Sequence, residues 1–393
     1  MAPITARELN RATLARQGLL EPLKTATAGA AVERLGSLQA QHPEWPPVAL
    51  AARSADGRTA DLAGALARRE VVRSSLMRNT IHVIATGDLW PMFTVCQALR
   101  TNQWRLLMKA DPTDSALGRR MRAAHATVIA ALRQQPLSSL EIDRLMAAEV
   151  GPRATSVSRP AWREPDVPVV VRAAWRHFSA FVPLVHVPHD GEGYGRSRYA
   201  IAADWIGQEQ PDLDDAAART HLARRYLASF GPASVEDLVA YVGRGKGGIG
   251  PWREAVSAIG DELVTFRDAD GRTLHDVAGA PRPRGDAPAP PRLLARWDSL
   301  LLSHAPKHRG RVIADEDRPA VFSKNADVLP TFLVDGTVAG TWALSRTAEG
   351  TAITLRPFNR LARTDAAALE REAERVLRLL EPRRTNRRVA FAH

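Results

Sequence analysis

One arrangement limits what this chain can fold into more than its composition does: three helical stretches followed by two short β runs, an order that recurs three times. In the first pass, helices are predicted over residues 5–18, 28–38 and 58–70, and strands over 71–77 and 80–85, joined through Arg78 and Asn79. Thr5 with Glu8 three places on has the form of a capping box, and Gly18 ends that helix. In the second pass the helices are 119–133 and 138–149, the latter capped by Ser138 or Ser139 ahead of Glu141. A loop from 160 to 168 follows, then 169–178 as the third helix. Strands at 181–187 and 198–202 flank a glycine-rich tip at 189–195. The third pass places helices at 213–229, 234–242 and 251–259, and strands at 262–266 and 272–276 around Asp270-Gly271, a strong hairpin turn. The copies share a pattern, not residues.

Helix, helix, helix, hairpin is the order of a winged helix-turn-helix. The fold class that follows is α+β, mainly α, with three tandem winged helix-turn-helix motifs and a C-terminal β-rich segment. The expected organisation is a first winged helix with a connecting helix over 1–112, a second over 113–210, a third over 211–280, and a linker with an α/β segment over 281–393. Residues 279–292, rich in Pro, Gly and Arg, read as the linker. Beyond it, strands are expected around 331–336, 338–342 and 351–355. A last helix over 365–380 carries Leu369, Val376, Leu377 and Leu380 on one face, with Arg383, Arg384, Arg387 and Arg388 trailing it.

The formal net charge of +11 points to a polyanionic partner, with nucleic acid first. Winged helices mostly bind double-stranded DNA. The basic and imidazole side chains on the expected wings and loops are Arg78 and His82, Arg196 and Arg198, Arg244 and Lys246, and Lys307, Arg309 and Arg311. Together they would give salt-sensitive, largely sequence-blind binding. No apolar run reaches about 18 residues, so no membrane partner is expected. The single cysteine, Cys96, suits a reducing cytoplasm. It also leaves no metal site of the usual thiolate kind, and Pro306 interrupts His304 and His308, so no metal or other cofactor is expected. Gly243 to Gly250 is glycine-rich and basic but lacks the Gly-Lys-Ser/Thr ending of a phosphate-binding loop, so it reads as a flexible basic turn. No Gly-x-Ser-x-Gly or Cys/His pair suggests a nucleophilic hydrolase.

The candidate catalytic residues are Gln39 and Gln41, in Leu38-Gln39-Ala40-Gln41-His42-Pro43. Two carboxamides two residues apart face the same way only if the backbone is extended or turning; on a helix they would diverge by about 200°. Pro43, Pro46 and Pro47 just behind are expected to break the chain there. Each amide offers both donors and an acceptor, so the pair can hold one water or grip one planar polar group.

This hexapeptide resembles the Gln-φ-Gln motif (φ apolar) of the AlkZ-type winged-helix DNA glycosylases, in the AlkZ/YcaQ superfamily. Other stretches agree with the same family in the same order: residues 76–82 (LMRNTIH), 229–238 (SFGPASVEDL), 297–302 (WDSLLL) and 334–342 (VDGTVAGTW). YcaQ-like members carry Gln-φ-Asp, so the double glutamine is similar to the self-resistance branch. The resemblance implies a C-shaped clamp of tandem winged helices around double-stranded DNA. It also implies excision of N7-alkylated purines, including unhooking of interstrand crosslinks made by azinomycin-like natural products, with the motif glutamines at Gln39 and Gln41. An N7-alkylguanine is cationic and departs as a neutral base, so the enzyme's tasks are to favour an oxocarbenium-like sugar and to place a water at C1′. With no lysine in the motif, a monofunctional glycosylase without AP-lyase activity is expected. Three fused modules can clamp DNA without a dimer, so a monomer is expected, working on the nucleoid in the cytoplasm. The rival reading is a non-catalytic winged-helix DNA-binding protein, a regulator or a drug-sequestering factor.

Overall fold

The structure, a computed structural model, describes residues 2–57, 59–151, 156–160, 168–188, 198–243, 248–323 and 327–392, with only the backbone of 156–160 and 168–171. Helices begin where the sequence supplies caps. Thr5 closes a capping box with Glu8 over Ala6–Arg16, Ser138 with Glu141 over Ser139–Val150, and Ser234 with Asp237 over Val235–Val242. Each satisfies backbone donors that a bare helix end would leave unpaired.

Runs of helices are interspersed with strands along the chain, giving the mixed α+β class. A five-stranded sheet runs in the order Leu38–Gln39, Ile81–Ala85, Val71–Ser75, Leu184–Val187, Arg198–Ile201. It joins the first expected hairpin to the second, with the glutamine motif on its edge. A second five-stranded sheet is built from Arg292–Leu294, Thr331–Val334, Thr337–Arg346, Thr351–Pro357 and Arg387–Phe391. A third pairs Ala2–Pro3 in parallel with the hairpin Leu263–Arg267 and Thr273–Val277. The amphipathic face expected on the last helix, Arg363–Leu380, buries Leu369, Val376 and Leu377.

The apolar clusters cut across the segments expected from the sequence. One unites Leu76, Met77 and Ile84 with Val185 and with Tyr226, Phe230 and Tyr241. Another unites Val32, Leu38 and Val48 with Phe332, Trp342 and Leu377. Buried ion pairs follow the same long connections. Arg16 makes a two-pronged pair with Asp276, at 2.6 and 2.8 Å. Arg53 grips Asp298 at 2.9 and 2.7 Å, with both side chains about 1 % exposed. The stretch read as a linker is tied in as well, since Arg11 Nε donates to the carbonyl of Ala287 at 2.7 Å.

Three expectations change. Pro46 and Pro47 do not break the chain but start the helix Trp45–Arg53, where a missing N–H costs nothing. Residues 168–172 are a strand, paired with Ser156–Pro160, and the helix begins only at Ala173. The arginine-bearing tail re-enters the second sheet, where Arg387–Phe391 lies parallel to Thr351–Pro357. A 20-residue helix, Leu89–Met108, packs against Ala173–Phe181 and Asp215–Phe230.

Replacing Arg53 by methionine strands the carboxylate of Asp298 in the interior. The expected cost is about 3–5 kcal/mol of unfolding free energy, read from urea denaturation.

Candidate active site

The motif is extended, as an i, i+2 pair of converging amides requires. Leu38 and Gln39 lie antiparallel to Val83 and His82, and the amide of Ala40 donates to the carbonyl of Ile81 at 2.7 Å. Gly36 makes the approach possible. It ends the helix Ala28–Leu35 at φ 81°, and a Cβ there would meet Ser229 Oγ at 2.7 Å. Two bonds pin the next residue: Ser37 Oγ lies 2.8 Å from Tyr241 Oη, and Ser299 Oγ donates to the Ser37 carbonyl at 3.0 Å. Beyond the motif, His42 stacks on Trp297 at 5.2 Å, and the Arg296 guanidinium covers Trp297 at 4.8 Å.

The two glutamines converge on one segment. Gln39 Oε1 accepts from Thr80 Oγ1 and Gln41 Oε1 from the Ile81 amide, each at 3.3 Å. These are long hydrogen bonds, and each oxygen keeps a second lone pair for a solvent proton. The environments differ: Gln39 is buried at 9 % exposure, whereas Gln41 is exposed.

Thr80 and Ile81 follow a tight turn in which Arg78 and Asn79 both take positive φ, 53° and 55°. Non-glycine residues seldom adopt this backbone, and consecutive ones mark a turn held by its surroundings. Gly243 provides part of that hold, since a Cβ on it would come within 3.3 Å of the Arg78 Cα. The turn separates two cavities. On one side, about 340 Å³ is lined by Gln41, Asn79, Arg100, Trp104, Trp175 and Tyr199, among others. On the other, a groove of about 770 Å³ is lined by Arg78, Lys307 and Arg309, with Glu236 and apolar side chains.

The expected DNA-contacting residues part company here. Arg78 is half-buried; its guanidinium donates to the Tyr241 carbonyl and lies 5.3 Å over that ring. Arg309 sits over Phe322 at 4.8 Å; burial first, then the like charges of Arg78 and Arg318, bring it down to about 10, still cationic at neutral pH. Lys307 is exposed and 3.0 Å from Glu236. Arg198 is paired with Glu141 away from this groove. Arg196, Arg244 and Lys246 lie outside the described residues. His82 and Arg311 do not reach the surface as expected. His82 is fully buried; its Nδ1 donates to the Thr80 carbonyl at 3.0 Å, leaving Nε2 3.4 Å from the Arg78 guanidinium. Burial, with Arg78 adding to it, lowers the ring to about 3, so it stays neutral. Arg311 is buried and donates to the Pro232 carbonyl at 3.0 Å.

Arg73 was missed by the sequence reading. Buried at 3 % exposure, it donates from Nε and Nη2 to the Ala40 carbonyl at 3.2 and 3.0 Å, inside the motif itself. Residues 71–77 read as a short β run, but nothing in it distinguished an inward arginine. Among the described residues, no group of three or more His, Cys, Asp or Glu side chains is placed to hold a metal. His308 instead bonds Asp237 at 2.7 Å. Burial raises the Cys96 thiol to about 11, which makes it inert.

A family profile described as "DNA glycosylase AlkZ-like" matches residues 32–379, and the chain belongs to that family. It is therefore a DNA glycosylase, a hydrolase of N-glycosyl bonds, and the non-catalytic reading is set aside. A curated relative from Streptomyces sahachiroi, an interstrand DNA cross-link repair glycosylase, is 26 % identical over 364 residues, 91 % of this chain and 92 % of its own. The solved structure of the Streptomyces sahachiroi DNA glycosylase AlkZ superposes with a TM-score of 0.77 at 21 % identity, covering 100 % of both chains, and establishes the likeness of fold. No described helix is long and apolar enough to cross a membrane.

The buried imidazole gives a pH signature. An unfolded ring takes its proton near 6.5, the folded His82 ring only near 3, so the unfolded state binds more protons between those values. His304, lowered to about 3 by burial and Arg311, acts in the same direction. Stability is therefore intact above about pH 6.5 and lost as pH falls from there toward about 3. Melting temperatures of the wild-type protein should decline below about pH 6.5, and those of His82→Gln should decline less steeply.

Proposed function

We propose that this chain is a monofunctional glycosylase that hydrolyses the N-glycosidic bond of cationic N7-alkylated purines in double-stranded DNA, including purines held in interstrand crosslinks. The Streptomyces relative, a glycosylase of interstrand cross-link repair, supports the crosslink substrate. One observation carries the chemistry. Two neutral carboxamides meet at Thr80-Ile81, the outer one beside a cavity whose described lining contains no lysine, aspartate or glutamate.

That set suits a substrate that brings its own activation. The alkylated base already carries a positive charge, so its departure needs no strong acid. The sugar cation left behind needs a water held in place more than a water deprotonated. Gln41, exposed, orients that water through its carbonyl oxygen. Gln39, buried behind it, completes the cradle, and both carbonyl dipoles face the developing positive charge. With no amine in the cradle, no Schiff base forms and the strand is left intact.

Duplex DNA would lie across the groove beside the turn, its phosphates met by Arg78, Lys307 and Arg309. Arg198 would add to the contact, as would Arg196 and Lys246 if the sequence expectation for them holds in the complex with DNA. In this reading three winged-helix modules close as a C-shaped clamp around the duplex, and the protein acts as a monomer on the nucleoid in the cytoplasm. Its purpose is resistance to a DNA-alkylating natural product.

Gln39→Ala and Gln41→Ala proteins should bind duplex DNA as the wild type does yet release N7-methylguanine at least ~10-fold more slowly, roughly 1.4 kcal/mol in the barrier. Full release by both variants would remove the catalytic assignment. Loss of DNA binding would make the glutamines structural. Lys307→Ala should weaken binding evenly across sequences and reduce the slope of log affinity against log salt by about one.

A further inference from the structure

Three residues that line the cavity beside Gln41 each carry a polar atom with no partner. Asn79 Oδ1, Arg100 Nη2 and Trp175 Nε1 are each shielded from solvent and make no hydrogen bond in the described structure. A buried polar atom left unpaired costs about 1–3 kcal/mol, so three on one cavity call for an explanation. All three residues line the same space of about 340 Å³. The fold holds them firmly. Arg100 is 9 % exposed, its other arm donates to the Ser179 carbonyl at 3.1 Å, and its guanidinium lies 4.9 Å over Phe93. Burial lowers it to about 10, so it remains a cation. The Trp175 amide is anchored to Asp143 Oδ1 at 3.1 Å, and its ring packs on Tyr199 at 5.6 Å. Asn79 is fixed by the positive-φ turn. Trp104 completes an aromatic wall.

We infer that this cavity is the receptor for the damaged nucleobase itself, extruded from the duplex when the lesion is a monoadduct, and that Asn79, Arg100 and Trp175 read its edge. The inference rests on the glycosylase reading above and adds where the base goes. Two donors and one acceptor among aromatic rings match a 6-oxopurine. O6 has two lone pairs for Arg100 and Trp175, and the ring N–H or exocyclic amine has a proton for Asn79 Oδ1. Adenine presents an amine where O6 would be, and so leaves donors unmet. Alkylation at N7 alters none of these groups. Arg100 also distinguishes ground state from transition state. Before cleavage the base is a cation and is repelled. As the glycosidic bond breaks, its electron pair passes to the base, the positive charge moves to the sugar, and the departing neutral purine accepts the arginine's hydrogen bond.

The test uses the full-length protein and free 7-methylguanine as the probe, with binding followed by titration calorimetry and base release from alkylated duplex in single turnovers. Trp175→Phe keeps the ring and removes the donor; Arg100→Met removes the charge, with thermal melts reporting folding. The inference expects 7-methylguanine to bind the wild type, to bind Trp175→Phe at least ~10-fold more weakly with slowed release, and to bind Gln41→Ala within a few-fold of the wild type although its release is at least ~10-fold slower. Should the wild type fail to bind the free base, or should Trp175→Phe bind and release it as the wild type does, the receptor assignment falls. If Gln41→Ala alone is inactive in that case, the water-orienting role stands without it. If Trp175→Phe is impaired while Gln41→Ala is fully active, the receptor stands and the glutamine assignment falls.

Discussion

The carbonyl of Ala40 is the point from which the site takes its shape. It receives two bonds from the buried guanidinium of Arg73, while the amide of the same residue is tied to Ile81. A strand of two residues at a sheet edge has almost no ladder to hold it, and backbone ordering costs roughly 1–2 kcal/mol per residue. A hydrogen bond to a charged group contributes about 1.5–3 kcal/mol, enough to fix so short an element. Only with Ala40 fixed do the flanking side chains share a face. Arg73 sits opposite His186 in the register, so the second hairpin contributes to the position of the motif as well.

Charge is managed around this point by keeping neutral groups neutral. The His82 ring, paired across the sheet with Gln39, is shielded by burial and bonded to backbone, and it supports Arg78 as a hydrogen-bond acceptor. Asp298, which lines the crevice beside Gln39, is fully engaged by Arg53 and caps the turn Ser299–Leu302. This carboxylate, on the crevice that Gln39 also lines, is thus committed to structure. A pair of amides is left to face the substrate, in keeping with chemistry that needs a water positioned and not ionised.

Much of this was legible in the sequence, for identifiable reasons. Capping boxes at Thr5, Ser138 and Ser234 are local devices, and the helices start where they say. The spacing of Gln39 and Gln41 left an extended or a turning backbone, with the prolines behind favouring a turn, and the structure has the extended one. Prolines 46 and 47 were misread because the same residue that stops a helix inside it also starts one at its first turn. The inward arginines and histidines were the larger loss. Arg73, His82, Arg100 and Arg311 look like surface chemistry in one dimension; each arginine is held inside by a partner far along the chain, while the His82 ring bonds its own turn under the sheet's burial. For Arg100 that partner is the Ser179 carbonyl; for Arg311 it is that of Pro232. The five stretches that carried the family resemblance gain a physical meaning here. Residues 229–238 shape the approach at Gly36, 297–302 stack on His42, and 76–82 form the turn, so most of them position the first.

Arg78 and Asn79 are neighbours in the chain, with Cα atoms about 3.8 Å apart, yet they belong to opposite cavities. A peptide plane is stiff, and both residues are held in a conformation with little freedom to relax. At that point the two compartments therefore share one stiff wall, and neither can be enlarged there without moving the lining of the other.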